Sequence, residues 1–176
     1  NSKHRGTEKP MEKLIDKLTS YNLFTNLLPG VMYCLLSDKL LNTSLIQPDI
    51  VIGVFFYYFC GMAISRVSSV IVEPLLKATK FVTFSKYEHY LNAISKDPQI
   101  GTLLETNNTY RSIVALFACI LLTGAWTAAV AKFPEFEAIS GYAFVAIALL
   151  LFLLAYRKQN NYIKSRIDAQ LNQATK

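Results

Sequence analysis

The chain has 176 residues, 52% of them apolar and 17% charged, and a net charge of +6. A soluble domain carries about 25% charged residues. Here the apolar residues also fall in long blocks, which points away from a soluble enzyme and toward a membrane protein. The basic balance would suit a nucleic-acid binder, but most of the Lys and Arg sit in the polar segments around those blocks.

Residues 1–10, NSKHRGTEKP, are polar throughout and read as a disordered or non-native tail. Residues 11–20 place Met11, Leu14, Ile15 and Leu18 on one helical face, with Glu12, Lys13, Asp16 and Lys17 opposite. This is a short amphipathic helix, either lying on an anionic leaflet or forming the first turns of a spanning helix. An apolar run follows and predicts a first span over about 21–41. Pro29-Gly30 falls inside it. Proline removes a backbone donor, so a kink is expected there, structural or hinge-like, on a face covered by other helices.

Residues 38–49 read as a short loop. The run 50–72, IVIGVFFYYFCGMAISRVSSVIV, holds one charge, Arg66. As a helix it would be roughly 34 Å long, enough to cross a hydrocarbon core of about 30 Å. Gly61 and Ser65 form a small-xxx-small face for close helix packing. Arg66 is either a cation snorkelling toward the headgroups or an intramembrane functional charge. Ser65, Ser68 and Ser69 add a polar stripe beside it.

Residues 73–109 change character and predict a small helical hairpin outside the bilayer, too small for a core of its own. It must therefore pack on helix ends or on a partner. Lys80, Lys86, Tyr87, Tyr90 and Lys96 are its candidate partner-binding residues. Glu105, Asn107, Asn108 and Arg111 cluster at the return to the membrane, as a capping junction or as a ligand site. Two further spans are expected over about 110–131 and 138–157, with Trp126 at the far interface. Residues 158–176 form a basic tail.

Four crossings put both termini and the hairpin on one side. That side then holds every Lys and Arg except Lys39 and Lys132, with Arg66 near it. By the positive-inside rule it is cytoplasmic. The sequence holds no GxSxG, HExxH, Walker or dinucleotide motif, and it lacks a mid-membrane carboxylate in its apolar runs. Cys34, Cys60 and Cys119 lie in apolar runs and read as packing residues. No catalytic, cofactor or metal site is expected. The fold class is all-α, an integral membrane protein with four transmembrane helices and a small cytosolic helical hairpin.

SYNLFTNLLPGV, the second crossing, the hairpin with Tyr87 and Tyr90, LLETNNTYRS and the last two crossings together resemble a known arrangement. It is that of the small four-helix membrane proteins of bacterial antiphage defence loci, most of all the family of the Kiwa membrane subunit, KwaA. The resemblance covers residues 11–157. It implies a homo-oligomer, plausibly a tetramer, in the inner membrane. It also implies a cytosolic, DNA-binding protein partner on the basic face and a role in sensing infection. On that basis the expected function is a non-enzymatic sensor or scaffold that touches membrane lipid and a protein partner and binds no nucleic acid directly. The alternative is a pore-forming effector that depolarises the membrane on an infection signal.

Overall fold

The computed structural model describes residues 23–85 and 87–174. The polar tail, the amphipathic segment 11–20 and Lys86 lie outside the described residues. All regular structure among the described residues is helical. The chain divides into two compact units, residues 1–64 and 65–176.

In the first unit a π-helical turn, Leu23–Leu27, leads into α1 (Leu28–Leu41). Pro29 sits in the first turn of α1, where its missing N–H does least harm. Helix α1 stops at Asn42, whose left-handed backbone (φ 54°) returns its N–H to the Asp38 carbonyl. Helix α2 (Ile50–Val67) starts at Asp49, whose Oδ1 accepts the N–H groups of Val51 and Ile52 at 2.8 and 2.9 Å. Gln47 N–H donates to the Tyr57 hydroxyl at 3.0 Å and ties the loop to α2.

The two helices of this unit meet backbone to backbone. A Cβ on Gly30 would fall onto the Tyr57 carbonyl oxygen and 2.7 Å from Gly61 N. A Cβ on Gly61 would fall onto the Asn26 carbonyl and 2.9 Å from Gly30 N. Contacts of 26 with 61 and of 30 with 57 mean that the segments run antiparallel. Only glycine at both positions allows this approach.

In the second unit a π-helical turn, Ser68–Val72, links α2 to the short α3 (Glu73–Ala78). Together these make one continuous helix, Ile50–Ala78. Helix α3 closes in a Schellman arrangement: Lys80 N–H meets Lys77 O and Phe81 N–H meets Leu76 O, both at 3.0 Å. A connector carrying α4 (Tyr87–Ile94) leads to Asp97-Pro98, where Asp97 Oδ1 accepts Gln99 N–H. Helix α5 (Gln99–Lys132) then runs 34 residues and α6 (Glu135–Ala174) runs 40. Only Phe133 and Pro134 separate them. The residue before proline is pushed out of the helical region, and Phe133 (φ −131°, ψ 84°) ends α5 there. Trp126 stacks on Phe136 beside this turn, with centroids 6.0 Å apart.

Three helices among the described residues are long and apolar enough to cross a membrane: Ile50–Ala78, Gln99–Lys132 and Glu135–Leu171. A fourth was expected over about 21–41; there the described residues are helical from Leu23 to Leu41, the π turn running directly into α1, and residues 21–22 lie outside the described residues. Within the hairpin expected over 73–109, residues 73–78 prolong the first of these long helices and 99–110 begin the second, which leaves 79–98 as the connector between them.

The buried residues mix apolar side chains such as Ile64, Leu116 and Leu151 with several polar ones, and many large apolar side chains face outward. Ser37, Ser68, Glu73 and Ser112 are buried, whereas Ile50, Phe55, Leu121, Phe144 and Leu150 are exposed. Small and polar residues among those buried, with many large apolar ones facing out, suit a hydrocarbon solvent.

Candidate functional site

Among the described residues Glu73 is the one buried charge, with 6% of its side chain exposed. Three cations converge on it. Lys77 Nζ, one helical turn on, donates to Oε1 at 2.7 Å. Arg111 of α5 and Lys158 of α6 both approach Oε2, the lysine at 3.3 Å. One carboxylate therefore ties together the end of the helix Ile50–Ala78, α5 about a third of the way along, and α6 just past its middle.

The π turn makes this geometry. Glu73 N–H donates to Ser68 O, five residues back. In the same register the Ser69 carbonyl would take the nitrogen of Pro74, which carries no hydrogen. That oxygen is met instead by Lys158 Nζ. Arg111 Nε donates to Ser68 Oγ at 2.9 Å. So the proline's missing donor, the orphaned carbonyl and the two cations belong to a single arrangement, and Ser68 is fully buried beneath it.

Charge is not balanced here. Three cations face one carboxylate, and Arg111 retains N–H groups with no acceptor among the described residues. At an effective dielectric near 20, opposite unit charges 4 Å apart attract by about 4 kcal/mol. Glu73 can offset one cation in this way, and the other two repel each other. Exposure rises from 19% at Arg111 through 24% at Lys158 to 43% at Lys77, so the excess charge faces outward.

The cluster also marks a level. Arg111 lies about 21 residues before the end of α5 and Lys158 about 23 after the start of α6, roughly 32–35 Å along each helix. That is one hydrocarbon thickness. Beyond this level the ends of α5 and α6 are accompanied by the connector, which leads from α3 into α5. Tyr87 of α4 packs on Tyr162 of α6, with centroids 6.5 Å apart, and on Tyr90 at 6.0 Å. An open cleft of about 450 Å³ lies nearby, lined by Phe84, Tyr90, Leu103, Leu104 and Asn107 among others.

The residues singled out in the sequence are dispersed by comparison. Lys80 and Lys96 are exposed at the two ends of the connector, and Lys86 lies outside the described residues. Tyr87 and Tyr90 are half-buried and hold α4 in place. Pro29 and Gly30 are buried in the first unit. Arg66 is half-buried and has no ion-pair partner among the described residues. Of the junction residues, Arg111 reaches Glu73 and Ser68, while the Glu105 carbonyl accepts the Thr109 hydroxyl and Asn108 is half-buried. Glu73 and Lys158 were missed. Glu73-Pro74 straight after an apolar run was the available signal, since a carboxylate at the edge of a span needs partners.

Among the described residues no group of three His, Cys, Asp or Glu comes together to hold a metal. Cys34 is buried, Cys60 and Cys119 are half-buried, and all three are free thiols. No protein-family model, curated protein or solved structure matches the chain.

Proposed function

We propose that this protein is a non-enzymatic inner-membrane scaffold that oligomerises and recruits a cytosolic effector, in the manner implied by its resemblance to the membrane subunits of antiphage defence systems. The observation that supports it is the platform beyond the Glu73 level. There α5 and α6 project past the span, α4 is docked by Tyr87 on Tyr162, and Lys80 and Lys96 stand exposed at the rim. A basic surface of this kind suits an acidic protein partner more than a small substrate. The outward-facing apolar side chains suit lipid and neighbouring copies of the chain.

The reading has a direct test. Charge reversal at Lys80, Lys86 and Lys96 is expected to abolish co-purification of a cytosolic partner while leaving the detergent-extracted oligomer intact. Unchanged co-purification removes the connector from the interface. Loss of membrane potential on expression of the protein alone would favour the pore-forming effector instead.

A further inference from the structure

The Glu73 cluster has a property that helix packing does not require. A single cation would satisfy a buried carboxylate, and two bidentate contacts would use both oxygens. Here Lys77, Arg111 and Lys158 all bind Glu73, leaving two positive charges in excess on side chains that are partly open to the outside. Unused donors remain on Arg111 and Lys158 after Ser68, Ser69 and Glu73 have been served. Donors and excess charge so placed suit an anion with several acceptor oxygens.

Position selects the class of anion. Arg111 and Lys158 lie one hydrocarbon thickness from the far ends of their helices, which is the plane of the phosphates in a bilayer. Basic pockets between helices at this level on the positively charged side of a membrane protein are suited to anionic headgroups. The guanidinium of Arg111 is planar and forked, and it matches two phosphate oxygens at once. Lys77 lies over the Phe84 ring, 4.1 Å from Nζ to centroid, and Lys158 lies 5.7 Å from the Tyr162 centroid. The cations are thus held in place rather than free in solvent.

We propose that Lys77, Arg111 and Lys158 form a binding site for the phosphate of an anionic membrane lipid, with Glu73 as the internal counter-charge that keeps the cations gathered when the site is empty. The lipid phosphate supplies the negative charge that Glu73 alone does not, and it anchors the three helix ends at the headgroup plane.

The test uses the full chain in detergent micelles. Phosphatidylglycerol, phosphatidylcholine and inorganic phosphate are titrated separately, and bound lipid is read by native mass spectrometry and by thermal midpoint. Wild type is expected to retain phosphatidylglycerol in preference to phosphatidylcholine and to be unmoved by matched inorganic phosphate. Lys77→Gln alone leaves both inter-helix contacts of Glu73 and is expected to weaken phosphatidylglycerol about fivefold. Lys77→Gln with Lys158→Gln leaves a neutral Arg111–Glu73 pair and is expected to abolish the preference while keeping the oligomer. Glu73→Gln adds to the excess charge and is expected to tighten binding. Equal phosphatidylglycerol affinity in wild type and the double variant overturns the proposal. An equal shift from inorganic phosphate overturns the lipid assignment.

Discussion

Glu73 and Arg111, 38 residues apart in sequence, form a buried ion pair in which Arg111 also grips Ser68. In a regular α-helix, residues five apart point about 140° away from each other. Ser68 and Glu73 present their side chains to one guanidinium because the helix between them is π-wound. The two residues therefore fix a local backbone state as well as a contact between helices.

Removing the carboxylate is the most damaging change expected at this site. Glu73→Ala leaves two partly buried cations without their partner and should cost about 3–5 kcal/mol. Arg111→Gln leaves Glu73 with two lysines and should cost about 1.5–3 kcal/mol. Lys77→Ala removes the most exposed of the three cations and leaves Glu73 with Arg111 and Lys158, and should cost about 0.5 kcal/mol. Thermal unfolding in detergent gives the order; a Lys77 effect equal to that of Glu73 would contradict it.

Pro74 offers a test of the π turn. In an ordinary helix interior, replacing proline by alanine gains about 3 kcal/mol. Here the Ser69 carbonyl that lacks a backbone donor is already met by Lys158, and Pro74 lies in the first turn of α3. Pro74→Ala is expected to change stability by less than about 1 kcal/mol. A gain near the full value would mean that proline strain alone holds the turn.

The glycine contact predicts a sharp contrast among substitutions. Gly30→Val and Gly61→Val drive a side chain into a carbonyl of the facing segment, and overpacking of this kind costs about 1–3 kcal/mol. Gly141 in α6 has nothing within 4 Å of where a Cβ would stand. Gly141→Ala is expected to stabilise the helix by about 0.5–1 kcal/mol. Melting curves of the three variants decide it.

Lys80 stands at φ 58°, the left-handed conformation that closes the Schellman turn after α3. A non-glycine residue there costs roughly 1–2 kcal/mol. Lys80→Gly is expected to raise stability by about 1 kcal/mol while weakening recruitment of an acidic partner. A fall in stability would mean that the lysine side chain makes a compensating contact.

The long helices were legible from length and apolarity alone: 50–72, 110–131 and 138–157 all fall within continuous helices. Their true ends were less so. Residues 73–78 and 99–110 are polar enough to read as a hairpin, yet they carry on the helices because the π turn absorbs the donor that Pro74 lacks and Pro98 stands at the N-cap of α5. Of the first expected span, 21–41, the described part is helical from Leu23 to its cap at Asn42. Arg111 was recognised as a junction residue, but a partner among its near neighbours, Glu105 and Asn108, was expected. The π turn that swings Ser68 and Glu73 to its side leaves no mark in hydropathy, and Lys158 reads as one more cation in a basic tail.

The connector after Ala78 and the helix beyond Lys158 are expected on one side of the membrane, with the Phe133–Pro134 turn on the other. Topology reporters fused after Lys96, after Phe133 and at the C-terminus test it most directly. The expected result is the same compartment for the fusions after Lys96 and at the C-terminus, and the opposite one for the fusion after Phe133. Opposite compartments for the Lys96 and C-terminal fusions would contradict it.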